Sequence, residues 1–210
     1  MSYGDMQTRL ASEMARTDLT TEIQNEIQSA ILFYTPQRFW FNEEKATIQC
    51  TNGERYYALP TDFQALDNLS AQVAGTPSTG YAYSYRLKQR TEQYLSAIDF
   101  GTTNWAGYPQ EFALYANQLR LYPPPLANVQ LTLSYIQVQP PLVNTTDTNE
   151  WMEDGEELIR HRAASQLFAN YLMNPQMAQA RAQLEQMALL RMRQETANRI
   201  MSGKVMKSRF

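Results

Sequence analysis

The chain of 210 residues has a single cysteine, Cys50, and a single histidine, His161. One thiol excludes an intrachain disulfide framework and any cysteine-rich zinc site. One imidazole excludes a catalytic histidine pair and a multi-histidine metal site. Glycine is scarce, and the eight present never approach a GxGxxG or GxxxxGK spacing, so no phosphate-cradling loop can be read. No apolar run approaches the roughly 18 residues that a membrane span needs. Met1-Ser2-Tyr3-Gly4-Asp5 lacks the basic-then-apolar pattern of a signal peptide. The basic excess of a general nucleic-acid binder is also missing, since the net charge is −3. What is present is 43% apolar and 19% charged residues, a globular composition. The length suits one domain or one and a half, at about 150 residues per domain. The expectation is a soluble protein of a reducing compartment with little conventional catalytic equipment.

The charge is unevenly placed. Residues 1–154 carry a net of −8 and residues 155–210 a net of +5. The last twenty residues hold Arg191, Arg193, Arg199, Lys204, Lys207 and Arg209 against Glu195 alone. A basic tail on an acidic body suits a solvated helix end, a nucleic acid, a partner's acidic surface or a neighbouring copy of the same body.

Periodicity changes twice along the chain. Residues 18–34 predict a helix, with Asp18 as N-cap and Leu19, Ile23, Ile27, Ala30, Ile31 and Tyr34 on one face. Leu10 and Met14 predict a shorter helix before it, and Pro36 stops the second. Phe33, Tyr34, Phe39, Trp40 and Phe41 follow as an aromatic knot, a core anchor or a stacking site. From Ala46 to Val138 the signal is β. Ala46, Ile48 and Cys50 alternate, and Asn52-Gly53 predicts a two-residue hairpin pairing Ile48 with Tyr57 and Ala46 with Leu59. Tyr81, Tyr83, Tyr85 and Leu87 alternate, as do Phe112 and Leu114, then Leu119 and Leu121 with Asn117 at the turn between. Val129, Leu131, Leu133 and Tyr135 give a further strand. A short helix is predicted near 91–98. Pro123-Pro124-Pro125 and Pro140-Pro141 punctuate connections, since proline lacks the ladder donor.

After a polar stretch, Asn144 to Asn149, the helical signal returns. Leu158, Ile159, Ala163, Leu167 and Tyr171 line one face, and Asn174-Pro175 reads as N-cap and first helical residue. A stripe of Met177, Ala180, Leu184, Met187 and Ala197 follows before Ser202-Gly203. The expected fold class is α+β: a helical bundle of N-terminal helices plus two C-terminal helices, with a large inserted antiparallel β module. The expected boundaries are 1–45 and 142–203 for the helical core, 46–141 for the β module and 204–210 for a tail.

Catalytic candidates are few. His161, between Arg160 and Arg162 on a helix, reads as a surface or interface histidine. Cys50 reads as a small buried residue. Glu43-Glu44, Glu153-Asp154 and Glu156-Glu157 are paired carboxylates, and the last two pairs stand where a helix begins, a position that the macrodipole favours. No serine-based triad, metal set or cofactor site is expected. The tyrosines at 81–85, near Arg86, Lys88 and Arg90, are either a half-buried strand face or a base-stacking platform. Seven of the ten methionines lie between Met152 and Met206, either for helix packing or for an oligomer or partner interface.

Four segments carry a resemblance. They are Ile31-Leu32-Phe33-Tyr34 with Arg38-Phe39-Trp40-Phe41-Asn42-Glu43; Tyr57-Ala58-Leu59-Pro60-Thr61-Asp62-Phe63; Tyr108-Pro109-Gln110-Glu111-Phe112 with Leu119-Arg120-Leu121-Tyr122-Pro123-Pro124-Pro125; and Thr148-Asn149-Glu150-Trp151 before the helix from Leu158. In this order, over about 10–200, the chain resembles the head-to-tail adaptor (connector) proteins of tailed bacteriophages and, more distantly, the tail tubular protein A of short-tailed phages. The resemblance implies a non-enzymatic virion protein of the neck, assembled in the host cytoplasm. It implies a homo-oligomeric ring, commonly a dodecamer, that binds the portal protein above and tail or nozzle proteins below. Genomic DNA would pass through the lumen without sequence-specific binding, and no membrane or cofactor is involved. Lys204, Val205, Met206, Lys207, Ser208, Arg209 and Phe210 are thereby given a portal-docking role. The readings kept open beside it are a single-stranded nucleic-acid-binding protein, an enzyme built on scattered carboxylates, and a tail-completion or terminator protein.

Overall fold

Ser2 opens the first helix with a capping box. Its hydroxyl accepts from the Asp5 amide at 3.1 Å, and the Asp5 carboxylate accepts from the Ser2 amide at 3.0 Å. The structure, a computed structural model, describes residues 1–74, 83–99 and 106–202. It divides into two compact units, one of residues 1–43 and 138 onward, the other Glu44–Gln137.

The first unit is helical. Helix α1 (Tyr3–Met14) and α2 (Thr20–Tyr34) come from the N-terminal stretch; α4 (Glu150–Glu153), α5 (Glu156–Asn170) and α6 (Pro175–Ser202) come from the C-terminal one. The core gathers Met6 and Leu10, Ile23 and Ile27, Trp151 and Met152, Leu158, Ile159 and Leu167, and Ala188 and Met192. A fully buried Leu or Ile contributes about 1.5–3 kcal/mol relative to exposure. Helix α5 packs against α1, α2, α4 and α6 and is buried round most of its circumference.

Three expectations for this unit need correction. Asp18 does not cap α2. Its carboxylate is bonded to Arg16 at 2.6 and 2.7 Å, which holds its pKa down at about 2, and Leu19 stands at the cap without a side-chain bond. His161 is buried and not at the surface, because α5 is the central helix and is covered on its polar side too. The stripe expected on α6 is out of phase: the buried line is Ala178, Ala188, Met192 and Thr196, while Met177, Ala180, Leu184, Met187 and Ala197 are exposed. Small residues face α5 because the two helices pack closely there. The cap at Asn174 forms as expected, accepting from the Met177 amide at 3.1 Å.

The second unit holds two four-stranded sheets. One has the order β1 (Glu43–Gln49), β8 (Val129–Gln137), β3 (Phe63–Val73), β4 (Tyr83–Arg86). The other has the order β2 (Tyr56–Ala58), β7 (Gln118–Tyr122), β6 (Glu111–Tyr115), β5 (Lys88–Gln89). In the first, Leu69 stands opposite Leu133, Ala71 opposite Leu131 and Val73 opposite Val129, all buried; Ser70 and Gln72 alternate on the other side. In the second, Phe112 pairs with Leu121, and Tyr57 and Leu114 both pair with Leu119. One apolar core joins the inner faces of both sheets. Helix α3 (Glu92–Asp99) lies between β5 and β6, the one pair among the described strands that runs parallel.

The hairpin expected at Asn52-Gly53 does not form. Gly53 has the positive φ of 77° that suits glycine, and the Glu54 amide donates to the Thr51 carbonyl at 3.1 Å, so the chain does turn. The turn delivers β1 and β2 to different sheets, and the Ile48–Tyr57 and Ala46–Leu59 pairs are absent. The Gly53 amide donates to Pro125, and the Tyr57 hydroxyl accepts from the Thr51 amide at 3.1 Å, fixing the crossing. The turn expected at Asn117 does form: Ala116 and Asn117, both at positive φ, make a tight hairpin between β6 and β7.

Candidate functional site

The expected docking segment, Lys204–Phe210, lies outside the described residues, as does Tyr81. The aromatic knot is a core anchor. Phe39 stacks on Phe41 at 5.7 Å between ring centroids, and the edge of the Trp151 ring meets both, at 5.7 and 4.9 Å. The Asn42 side chain closes the short turn before β1, accepting from the Phe39 amide at 2.8 Å and donating to the Gln37 carbonyl at 2.8 Å. Trp151 belongs to this knot but stands far along the chain from Phe41, so no local pattern could join them. Only Phe33 and Trp40 keep exposed surface, and each ring is covered by a guanidinium: Arg162 over Phe33 at 3.4 Å, Arg199 over Trp40 at 4.4 Å.

The tyrosines pack partly against one another, with Tyr83 and Tyr108 still exposed. Tyr83 stacks on Tyr85 at 5.9 Å and meets Tyr108 edge-on at 6.2 Å. The Tyr85 hydroxyl is buried, which pushes its pKa up to about 12. Arg90 is held by Glu111 at 2.8 Å and lies over Tyr94.

The carboxylates divide in the same way. Glu156 and Glu157 open α5, and Glu156 accepts from Arg160 at 2.8 Å and from Arg9 at 3.1 Å. Glu153, Asp154, Glu157 and Glu195 line a groove of about 200 Å³ with Trp40 and Arg191. Burial pushes the Asp154 carboxyl up, and Arg199 opposes that. No cluster of three His, Cys, Asp or Glu suited to a metal occurs among the described residues. His161 has its Nε2 4.0 Å from Glu157, with Nδ1 buried and unpartnered. Burial lowers its pKa first, and Arg160 and Arg181 lower it further. The Cys50 thiol is buried, and burial pushes it up to about 11, far from a reactive thiolate. Neither residue has a nucleophile, base and orienting group converging on it among the described residues.

The methionines split: Met152 and Met192 are core, while Met173, Met177 and Met187 are exposed. Exposed apolar side chains cluster on two helices of the first unit, Leu32 and Phe33 on α2 and Leu184, Met187 and Leu190 on α6. No helix among the described residues is long and apolar enough to cross a membrane.

No curated protein matches the chain. A family model described as SU10 adaptor protein matches residues 1–206. That match carries a structural role in the phage head–tail junction, with portal and tail proteins as the partners the family implies. Nearly the whole sequence lies within it, from the first helix through α6, and the chain belongs to the SU10 adaptor protein family, a family of phage head–tail adaptors.

Proposed function

We propose that this adaptor works by assembly alone, as a ring of identical copies, twelve on the resemblance, seated between the portal and the tail and open for the genome. The observation that carries this reading is the family match over residues 1–206. Two compact units, one helical and one of two sheets, suit a subunit with separate tasks. In this reading the helical core, 1–45 and 142–203, makes the ring. The β module, 46–141, meets the tail or nozzle proteins. The segment Lys204–Phe210, with Lys204, Lys207 and Arg209, docks on the portal. A ring needs a heterologous contact that closes by rotation. An acidic body does not hold the passing phosphates, which would retard DNA. Copies assemble in the host cytoplasm and end in the virion neck.

Electron microscopy of the protein mixed with its purified portal tests the reading directly. A ring stacked coaxially on the portal is expected; a monomer beside a bare portal overturns it. Deletion of 204–210 is expected to leave the circular dichroism spectrum intact and abolish portal binding. Equal binding by the truncated chain removes the docking role.

A further inference from the structure

Helix α6 runs 28 residues and buries one line of them, Ala178, Ala188, Met192 and Thr196. Its other side carries Leu184, 40% exposed, and Met187, 64% exposed, in the same sector of the helix as Arg191. Helix α2 likewise buries Ile23, Ile27, Ala30 and Tyr34 and presents Leu32, 69% exposed, and Phe33, 52% exposed with one ring face under Arg162 of its own chain. Glu26 lies two turns before Phe33 on the same line of α2, half-buried beside Asn170 and Arg162 of its own chain. Both helices pack on α5, and the two patches share no residue.

The patches match in an antiparallel sense. Arg191 is seven residues after Leu184, and Glu26 is seven residues before Phe33. At 1.5 Å per residue each separation is about 10 Å. An antiparallel crossing that sets Leu184 against Phe33 therefore brings Arg191 to Glu26. Arg191 is largely exposed, and its ion pair with the exposed Glu157 of its own chain, at 3.4 Å, is exchanged for Glu26 on docking. The other charges of α6 near the patch are already engaged within the chain: the exposed Arg193 with Gln37 at 3.0 Å, and the half-buried Glu185 with Arg162 at 2.9 Å. Neither patch matches itself in this way, which favours a head-to-tail contact over a two-fold one.

We propose that the outer face of α6, through Leu184, Met187 and Arg191, docks on the outer face of α2, through Glu26, Leu32 and Phe33, of a second copy of this chain. The proposal rests on the ring reading and gives that ring its subunit contact. Flexible thioether and aliphatic side chains fill a neighbour's irregular surface, and the ion pair fixes register.

Cysteine pairing tests it, because the native Cys50 is buried. Full-length Leu184→Cys and Phe33→Cys chains, the pair that the crossing sets face to face, are oxidised singly and mixed, free at high concentration and with the purified portal. Disulfide dimers are expected in the mixture and in neither single variant. A chain bearing both substitutions should give a ladder of covalent multimers. Arg191→Glu or Glu26→Arg should each lower the mixed yield about two- to five-fold, the scale of a rim ion pair, and the two together should restore it. Dimers from Leu184→Cys alone would mean a two-fold contact and overturn the pairing. No cross-link where particle mass still shows rings overturns the surface and leaves the ring. No multimer under either condition ends both.

Discussion

His161 is flanked in sequence by Arg160 and Arg162, a context that suggests solvent, yet it is buried on the central helix. Neutral imidazole is the form that the site tolerates. Burial disfavours its charge most; Arg160 and Arg181 add to that, and Glu157 and Glu13 oppose it. The folded pKa is thus depressed below the ordinary 6.5, and the unfolded chain takes up the proton first as pH falls. Stability from this group is full above about pH 6.5 and is lost as pH drops toward the lower folded value. The stability advantage of the native chain over His161→Gln should therefore shrink between about pH 7.5 and 5.5, followed by urea unfolding. A constant difference would show that His161 does not titrate as described. The core status of Phe39, Tyr34 and Cys50 was legible from pattern alone, because each follows from its immediate neighbours. Trp151 was not, nor was Gly155, where a Cβ would lie 2.8 Å from the Trp151 ring. Such contacts depend on residues brought together only by tertiary packing.

At the scale of elements, alternation located most strands, and proline and asparagine located most boundaries, because these signals act within a few residues. The longest strand, β3, left no usable signal. Its register shifts between Phe63 and Ala65 and again between Leu66 and Asn68, so the period-two pattern is broken just where Asp67 and Asn68 lower β propensity. The hairpin that fails at Asn52-Gly53 has a related cause: a turn sequence fixes the local backbone but not which sheet receives the strand. Arg120 shows the same limit. Alternation with Leu119 and Leu121 puts it on the outer face of β7, yet it is buried there, because α3 covers that face. Its guanidinium holds Glu92, Ser96 at 2.7 Å and Asp99 at 2.8 Å, fastening α3 to the sheet. Arg120→Ala should cost about 3 kcal/mol, the lower range for breaking a buried pair, since Arg55 still reaches Asp99. Hydrogen exchange is expected to rise first across Glu92–Asp99. Unchanged protection there would mean that α3 is held by Leu95 and its apolar contacts alone.

For the whole molecule, the decisive contrast is between gluing proteins together and holding nucleic acid. Sequence patterns leave both open, because a tyrosine run beside Arg86, Lys88 and Arg90 and a basic C-terminal end are compatible with either. Packing favours the first. Stacking platforms need free ring faces, and one face of Tyr83 is taken by Tyr85 while Tyr108 meets it edge-on, leaving the side chain half exposed. Backbone tracking needs a run of available cations; Arg86 and Lys88 are exposed, but Arg90 is engaged with Glu111 and residues 1–154 carry a net of −8. The full chain should therefore bind labelled single-stranded DNA at about 50 mM salt no better than a non-specific protein, with dissociation constants of roughly 10⁻⁴ M or weaker. Any weak retention should disappear when 204–210 are deleted, because Lys204, Lys207 and Arg209 are then gone. Tight binding that falls steeply with salt and survives that deletion would place the contact on the tyrosine-bearing unit. The stacking reading would then displace assembly as the account of what those side chains do.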